Sequence, residues 1–201
     1  QQFSLGKFFD EQAPEISWRL ETDVNAALWA EQQCGAARGM SDAVYLTVGT
    51  GIGAGVMSGG QLVHGTLHPE MGHIRVPRHA DDSFAGVCPF HGDCWEGLAS
   101  GPAIAQRWGK AAHELPHDHP AWEMQAYYLA QGIFSACAIL SPQRVILGGG
   151  VAQAEGLHAR IAEMLDQLSA GYFENLGARV VAPELGQQAG IVGALLVGAM
   201  K

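Results

Sequence analysis

Residues 65–97 constrain this chain more than any other stretch. They are dense in His, Pro, Asp and Gly and carry neither the helical nor the strand period of apolar residues. A connection that long inside a compact domain is either without fixed structure or held by something other than a hydrophobic core. The segment contains its own candidate clamp. Cys88-Pro-Phe-His91-Gly-Asp-Cys94 places two thiols and an imidazole in one tight loop, with Gly92 free to turn, and His73 arrives from the other end. Cys and His are the preferred zinc ligands, and a structural zinc is four-coordinate. Two thiolates balance the charge of the divalent ion. Four protein ligands leave no position for water, so the expected Zn2+ is structural and not hydrolytic. On spacing alone, His64, His68 and His79 compete with His73 for the fourth place, and nine histidines make chance His–Cys neighbours common.

The rest of the chain reads as a well-packed globular protein. Hydrophobic residues make up 48% and charged residues 15%, which is far from a disordered composition. The net charge of -9, without a Lys/Arg cluster, argues against nucleic acid as a partner. No run of 18 apolar residues suggests a membrane span. Gln1-Gln2-Phe3 shows no basic signal-peptide start, so the expectation is a cytoplasmic protein, and the missing initiator Met predicts a fragment or processed form. In such a chain Cys88 and Cys94 read as metal ligands before they read as a disulfide. Cys34 and Cys137 lie in apolar, helix-like surroundings and read as buried thiols.

Coarse patterning predicts a helix over 23–38, capped at Thr22 or Asp23, and a strand over 42–48 ending in glycines. A further strand spans 54–64, with Ser58-Gly59-Gly60 as a hairpin turn. Helices are expected over 101–113, 121–140, 156–170 and 190–200, with short strands at 144–147 and 179–182. This alternation predicts an α/β layer architecture. Residues 1–20 read as a lead-in segment, helix or arm.

Two glycine turns follow apolar strands. In Gly49-Thr50-Gly51-Ile-Gly53 the backbone can approach a phosphate and aim its N–H groups at it, although a plain hairpin fits the same residues. The sequence lacks the Gly-Lys-Ser/Thr of a Walker loop, and a strand follows instead of a helix. Gly148-Gly149-Gly150 reads equally as a nucleotide contact or as a simple turn. Asp23, at a helix start just before Asn25, is either an N-cap or a general base. Glu70 and Glu96 flank the candidate metal loop, where they suit hydroxyl recognition or are plain surface acids.

Taken together, Thr22-Asp23-Val-Asn25-Ala-Ala27, the Gly49–Gly53 turn, Glu70-Met-Gly-His73, Cys94-Trp-Glu96, Leu147-Gly-Gly-Gly150 and Ala189-Gly-Ile-Val-Gly193-Ala194 resemble the ROK family of sugar kinases, in family order over about residues 18–200. Cys-Pro-Phe-His-Gly-Asp-Cys resembles its fructokinase branch, with His91 where the commoner loop has a third cysteine. The resemblance implies an actin-like, hexokinase-like ATPase fold, mainly its C-terminal domain, with residues 1–20 a lead-in or a remnant of the small N-terminal domain and 21–201 the kinase domain carrying a zinc loop at 65–97. It selects His73, with Cys88, His91 and Cys94, as the zinc set. It implies Asp23 as the base, Glu70, His73 and Glu96 as sugar contacts with Asn25 in support, Gly49, Thr50 and Gly51 as a phosphate turn, and Gly149 and Gly150 in the adenosine pocket. The implied reaction moves the γ-phosphoryl group of ATP, with Mg2+, to a hexose, giving fructose 6-phosphate from fructose. A homodimer is implied as well, and helix 121–140 is compatible with one and equally with a buried core helix. The family's opening Asp-x-Gly-Gly-Thr-type turn is absent from these residues. The alternative is therefore a non-catalytic sugar- and zinc-binding remnant. A transcriptional regulator would need a basic helix-turn-helix, which the sequence lacks.

Overall fold

A computed structural model describes residues 4–16 and 18–199. The opening Gln1-Gln2-Phe3 and the predicted helix end at Met200 lie outside the described residues. The architecture is a five-stranded mixed sheet between two helical layers. In chain order the elements are α1 (Leu5–Gln12), α2 (Asp23–Cys34), β1 (Ala43–Val48), β2 (Ile52–Ser58), β3 (Gln61–Leu62), α3 (Trp95–Ala99), α4 (Gly101–Trp108), α5 (Ala121–Leu140), β4 (Arg144–Gly148), α6 (Leu157–Ser169), β5 (Val180–Val181) and α7 (Ala189–Gly198). The sheet order is β3-β2-β1-β4-β5. β1 runs antiparallel to β2 and parallel to β4, with Leu46 opposite Leu147, and β4 is parallel to β5.

β1 is apolar but for the part-buried Thr47 because it is covered on both faces. Val44, Leu46 and Val48 join α3, α5 and α6 in the larger core, whereas Ala43 and Tyr45 pack with Ala27, Leu28 and Ala189 of α2 and α7. α2 and α7 lie very close: a Cβ on Gly193 would stand 1.9 Å from the Ala26 carbonyl oxygen. The β2–β3 hairpin turns through Gly59 and Gly60, both at positive φ as such a turn requires, and Asp42 Oδ1 accepts from the Gly59 N–H at 3.0 Å. None of the residues of α1 is buried; Trp18 Nε1 donates to Asp10 Oδ1 at 3.0 Å. Among the described residues no helix is long and apolar enough to cross a membrane.

Several boundaries differ from expectation for visible reasons. α2 stops at Cys34, not Arg38, because the buried Glu31 turns its carboxylate onto the chain beyond: Oε2 accepts from Ala36 N at 2.7 Å. The same group reaches Glu184 N and Leu185 N before α7. Cys34 is exposed, not buried, since it ends the helix; its thiol donates to the Ala30 carbonyl. Cys137 is buried. α4 ends at Trp108 because Gly109 adopts a left-handed conformation, φ 70°.

Candidate active site and metal cluster

The four clamp residues converge. A 3-10 turn at Met71–His73 delivers His73, and Cys94 caps the start of α3. Between them the chain folds back on itself, with Cys88 and Gly92 exchanging backbone hydrogen bonds at 3.1 and 2.9 Å while Gly92 sits at φ 64°. One ligand atom from each of His73, Cys88, His91 and Cys94 lies within 4.8 Å of all the others. His73 Nδ1 is 3.5 Å from Cys94 Sγ and 3.8 Å from Cys88 Sγ, and His91 Nδ1 is 3.6 Å from Cys88 Sγ. A tetrahedral zinc with ordinary Zn–S and Zn–N bonds requires an S-to-N edge of about 3.6 Å. The donor set and its spacing therefore fit that ion. Burial would raise the Cys88 thiol, but the backbone N–H groups of His91 and Phe90 favour its thiolate and carry it below the usual thiol range, whereas burial pushes the Cys94 thiol up.

The long loop has a second anchor that spacing could not reveal. Asp82 is buried, and its carboxylate accepts from Tyr128 Oη at 2.5 Å, Phe84 N at 3.0 Å and Arg107 Nη2 at 3.1 Å. Burial alone would raise the Asp82 carboxyl. The Tyr128 and Phe84 hydrogen bonds and the Arg107 charge outweigh it and hold the group below the ordinary carboxylate range. Burial and Asp82 together push the Tyr128 hydroxyl up to about 12. His79 belongs to this region, its N–H donating to Tyr128 Oη, and stands apart from the metal cluster.

Two cavities meet beside α2. The smaller, about 440 Å³, is polar and is lined by Thr22, Asp23, Gly49–Gly51, His68, Glu70 and Glu96. The larger, about 1000 Å³, is lined by Gly148–Gly150, Gln153, His158, Pro183 and Gln187, among others. Asp23 borders both. Thr22, not Asp23, caps α2, accepting from Asn25 N at 3.2 Å, which leaves the Asp23 carboxylate bonded, among the described residues, only to its neighbour Val24 N. Neither Asn25 nor His73 lines either cavity. Asn25 is buried, with Nδ2 donating to Glu21 and Oδ1 without a partner among the described residues.

Glycine is demanded at Gly149, whereas a Cβ at Gly51 would press on the end of the Glu96 side chain. A Cβ on Gly51 would stand 2.5 Å from Glu96 Oε2, the atom that accepts from Ile52 N at 2.9 Å and so fixes the turn. Gly149 has φ 92°, and a Cβ there would meet Val48 O at 2.4 Å. His158, in the wall of the larger cavity, is held below the ordinary imidazole value by burial. Sequence reasoning missed His158, because a lone histidine on an amphipathic helix carries no local signal.

A mixed sheet between helical layers, glycine turns at strand ends and a carboxylate between two cavities define the actin-like, hexokinase-like ATPase fold. The chain belongs to the ROK family, which it matches over residues 7–199, and its sequence falls with the fructokinase branch. It is 46% identical over 180 residues to a fructokinase of Zymomonas mobilis, covering 87% of this chain and 60% of that protein. A ROK hexokinase structure from Thermus thermophilus aligns with a TM-score of 0.75 at 32% identity, covering 89% of this chain and 63% of that one. A ROK glucokinase from Streptomyces griseus, solved with glucose and AMPPNP, aligns at 0.74 and 27% identity, over 94% of this chain and 70% of that one. The chain thus spans about 60% of the length of the curated fructokinase.

Proposed function

We propose that the protein transfers the γ-phosphoryl group of ATP to a hexose, converting fructose to fructose 6-phosphate, with Asp23 as general base. One observation carries this reading: Asp23 is the carboxylate shared by a small polar cavity and a large glycine-walled one. A sugar in the first and a nucleotide in the second would meet at that side chain. Asp23 takes the proton of the attacking hydroxyl as its oxygen bonds to phosphorus and the bond to the ADP oxygen breaks. Such catalysis is mostly positioning and charge stabilisation. Glu70 and Glu96 face the polar cavity as hydroxyl acceptors, Glu96 with Oε1 while Oε2 holds Ile52 N. Gly49, Thr50 and Gly51 present backbone to the phosphates, and Gly149 and Gly150 flank the adenosine side. Mg2+ would arrive with ATP and neutralise phosphate charge. His73, Cys88, His91 and Cys94 would hold a structural Zn2+ that fixes the loop between Glu70 and Glu96. In this reading Asn25 positions the residues around the base, and His73 acts on the sugar side through that loop. The domain division is a kinase domain from residue 21 onward, in a cytoplasmic homodimer whose mass in solution tests its assembly.

The test is ATP-dependent phosphorylation of fructose, glucose and mannose by the protein and by Asp23→Asn. The expected result is turnover on fructose, lowered at least about 100-fold by the substitution, with sugar binding retained. Undiminished turnover in Asp23→Asn would remove the base assignment. A folded, zinc-loaded protein that binds sugar without turnover would support the second reading, a non-catalytic sugar- and zinc-binding remnant.

A further inference from the structure

We propose a second divalent-metal site, formed by Glu21, His64 and His68 and separate from the four-ligand cluster. Glu21 lies just before α2; His64 and His68 lie in the irregular segment after β3. One ligand atom from each of the three falls within 4.8 Å of the other two. His64 Nε2 is 2.6 Å from Glu21 Oε2, His68 Nδ1 is 3.9 Å from Glu21 Oε1, and the two imidazole rings meet edge to face at 5.8 Å. A hydrogen-bonded ion pair accounts for His64, whereas His68 stands at the outer limit of ion-pair distance. The His68 separation is too long for a hydrogen bond; ligands bonded at about 2.1 Å to one tetrahedral ion stand about 3.4 Å apart, so an ion would open the His64 contact and draw His68 in.

The carboxylate is also oriented in the way metal ligands are. Glu21 Oε1 accepts from Thr22 N and from Asn25 Nδ2, both at 2.9 Å, which fixes the plane of the group and turns Oε2 towards His64. Hydrogen bonds behind a ligand set its direction and its basicity. The Glu21 side chain is 10% exposed, whereas those of His64 and His68 are 48% and 47% exposed, so an ion has access from solvent. Two imidazoles and one carboxylate suit first-row divalent ions such as Zn2+ or Co2+, and three protein ligands leave a coordination position open. His68 also lines the polar cavity beside Asp23 and Glu70. The ion would therefore tie the rim of that cavity to the start of α2. This inference stands whether or not the protein is a kinase.

The experiment is a titration of the protein, its four-ligand cluster filled with Zn2+, with Co2+ followed by visible absorption and by metal content. The expected result is one additional Co2+ per chain with weak visible bands of nitrogen and oxygen ligation and no thiolate charge-transfer band. That equivalent is lost in His64→Gln and in His68→Gln, each checked for an unchanged far-ultraviolet circular dichroism spectrum. Absence of a further equivalent tighter than about 1 mM would overturn the site. So would an equivalent retained in both variants, or one whose spectrum shows thiolate ligation, since the ion would then sit elsewhere.

Discussion

Replacing Asp82 by Ala tests what holds the long loop apart from metal. The side chains of Asp82 and Arg107 are 3% and 7% exposed, so the pair is buried. The substitution removes the acceptor of Tyr128 Oη, Phe84 N and Arg107, leaving the guanidinium with the Leu98 carbonyl at 2.9 Å and the rings of Phe84 and Tyr128 at 4.5 and 5.5 Å. Breaking a buried pair by removing one partner costs about 3–5 kcal/mol. The surviving carbonyl and ring contacts place the expectation at the lower end, about 3 kcal/mol. For a chain of this length that corresponds to a fall in Tm of about 6–12 °C. Tyr128→Phe removes the hydrogen bond to the Asp82 carboxylate and the one accepted from His79 N but leaves the Asp82–Arg107 pair intact, and should cost about 1.5–3 kcal/mol. Urea and thermal unfolding followed by circular dichroism measure both. The double substitution Asp82→Ala with Arg107→Leu should recover stability relative to Asp82→Ala, because no unpaired charge remains buried. A loss below about 1 kcal/mol in Asp82→Ala, or a double variant weaker than the single one, would refute the reasoning.

Acid sharpens the same point. The folded Asp82 carboxyl lies below its unfolded value of about 3.9, so its contribution is complete above that value and is lost as pH falls through the folded one. The stability gap between wild type and Asp82→Ala should be constant above about pH 5 and narrow below about pH 4 when measured by urea unfolding. Cys94→Ser should abolish stoichiometric zinc and open residues 85–93 to proteolysis while the Asp82 anchor stays protected; full zinc by metal analysis would contradict the assigned ligand set. Gly149→Ala should lose at least about 1–3 kcal/mol from backbone conformation alone, with the Val48 clash in addition, and a variant as stable as wild type in thermal unfolding would show that the turn can relax.

The helices and strands of this protein were legible where a local rule decides them. Helix α5 runs from Ala121 to Leu140, as its long, largely apolar pattern predicts, and the Gly59-Gly60 hairpin follows from turn chemistry. The glycine turns, the Cys-His loop and the acids beside them were legible as residue types at suggestive spacings. What they lacked was a relation to one another. That Asp23 borders two cavities depends on α2 packing between β2 and α7, which no local pattern encodes. Glu31 illustrates the limit: a glutamate in an Ala-rich helix reads as solvent-facing, yet its partners Glu184 and Leu185 come from the far end of the chain. Asp82 is the same case, an acid in a polar loop whose burial is set by α4 and α5. Cys34 erred in the opposite direction, because apolar neighbours in sequence say nothing of where a helix ends.

The three residues Cys94, Trp95 and Glu96 each answer to a different part of the molecule. Cys94 joins the His–Cys cluster that could hold a metal, Trp95 is fully buried where only a glycine at 132 leaves space for its ring, and Glu96 grips Ile52 N behind the glycine turn. An insertion or deletion of one residue between Cys94 and α3 would turn the helix by about 100° against its own anchor. The indole and the carboxylate would then leave their partners together. Within this family, chain length should hardly vary across these three positions.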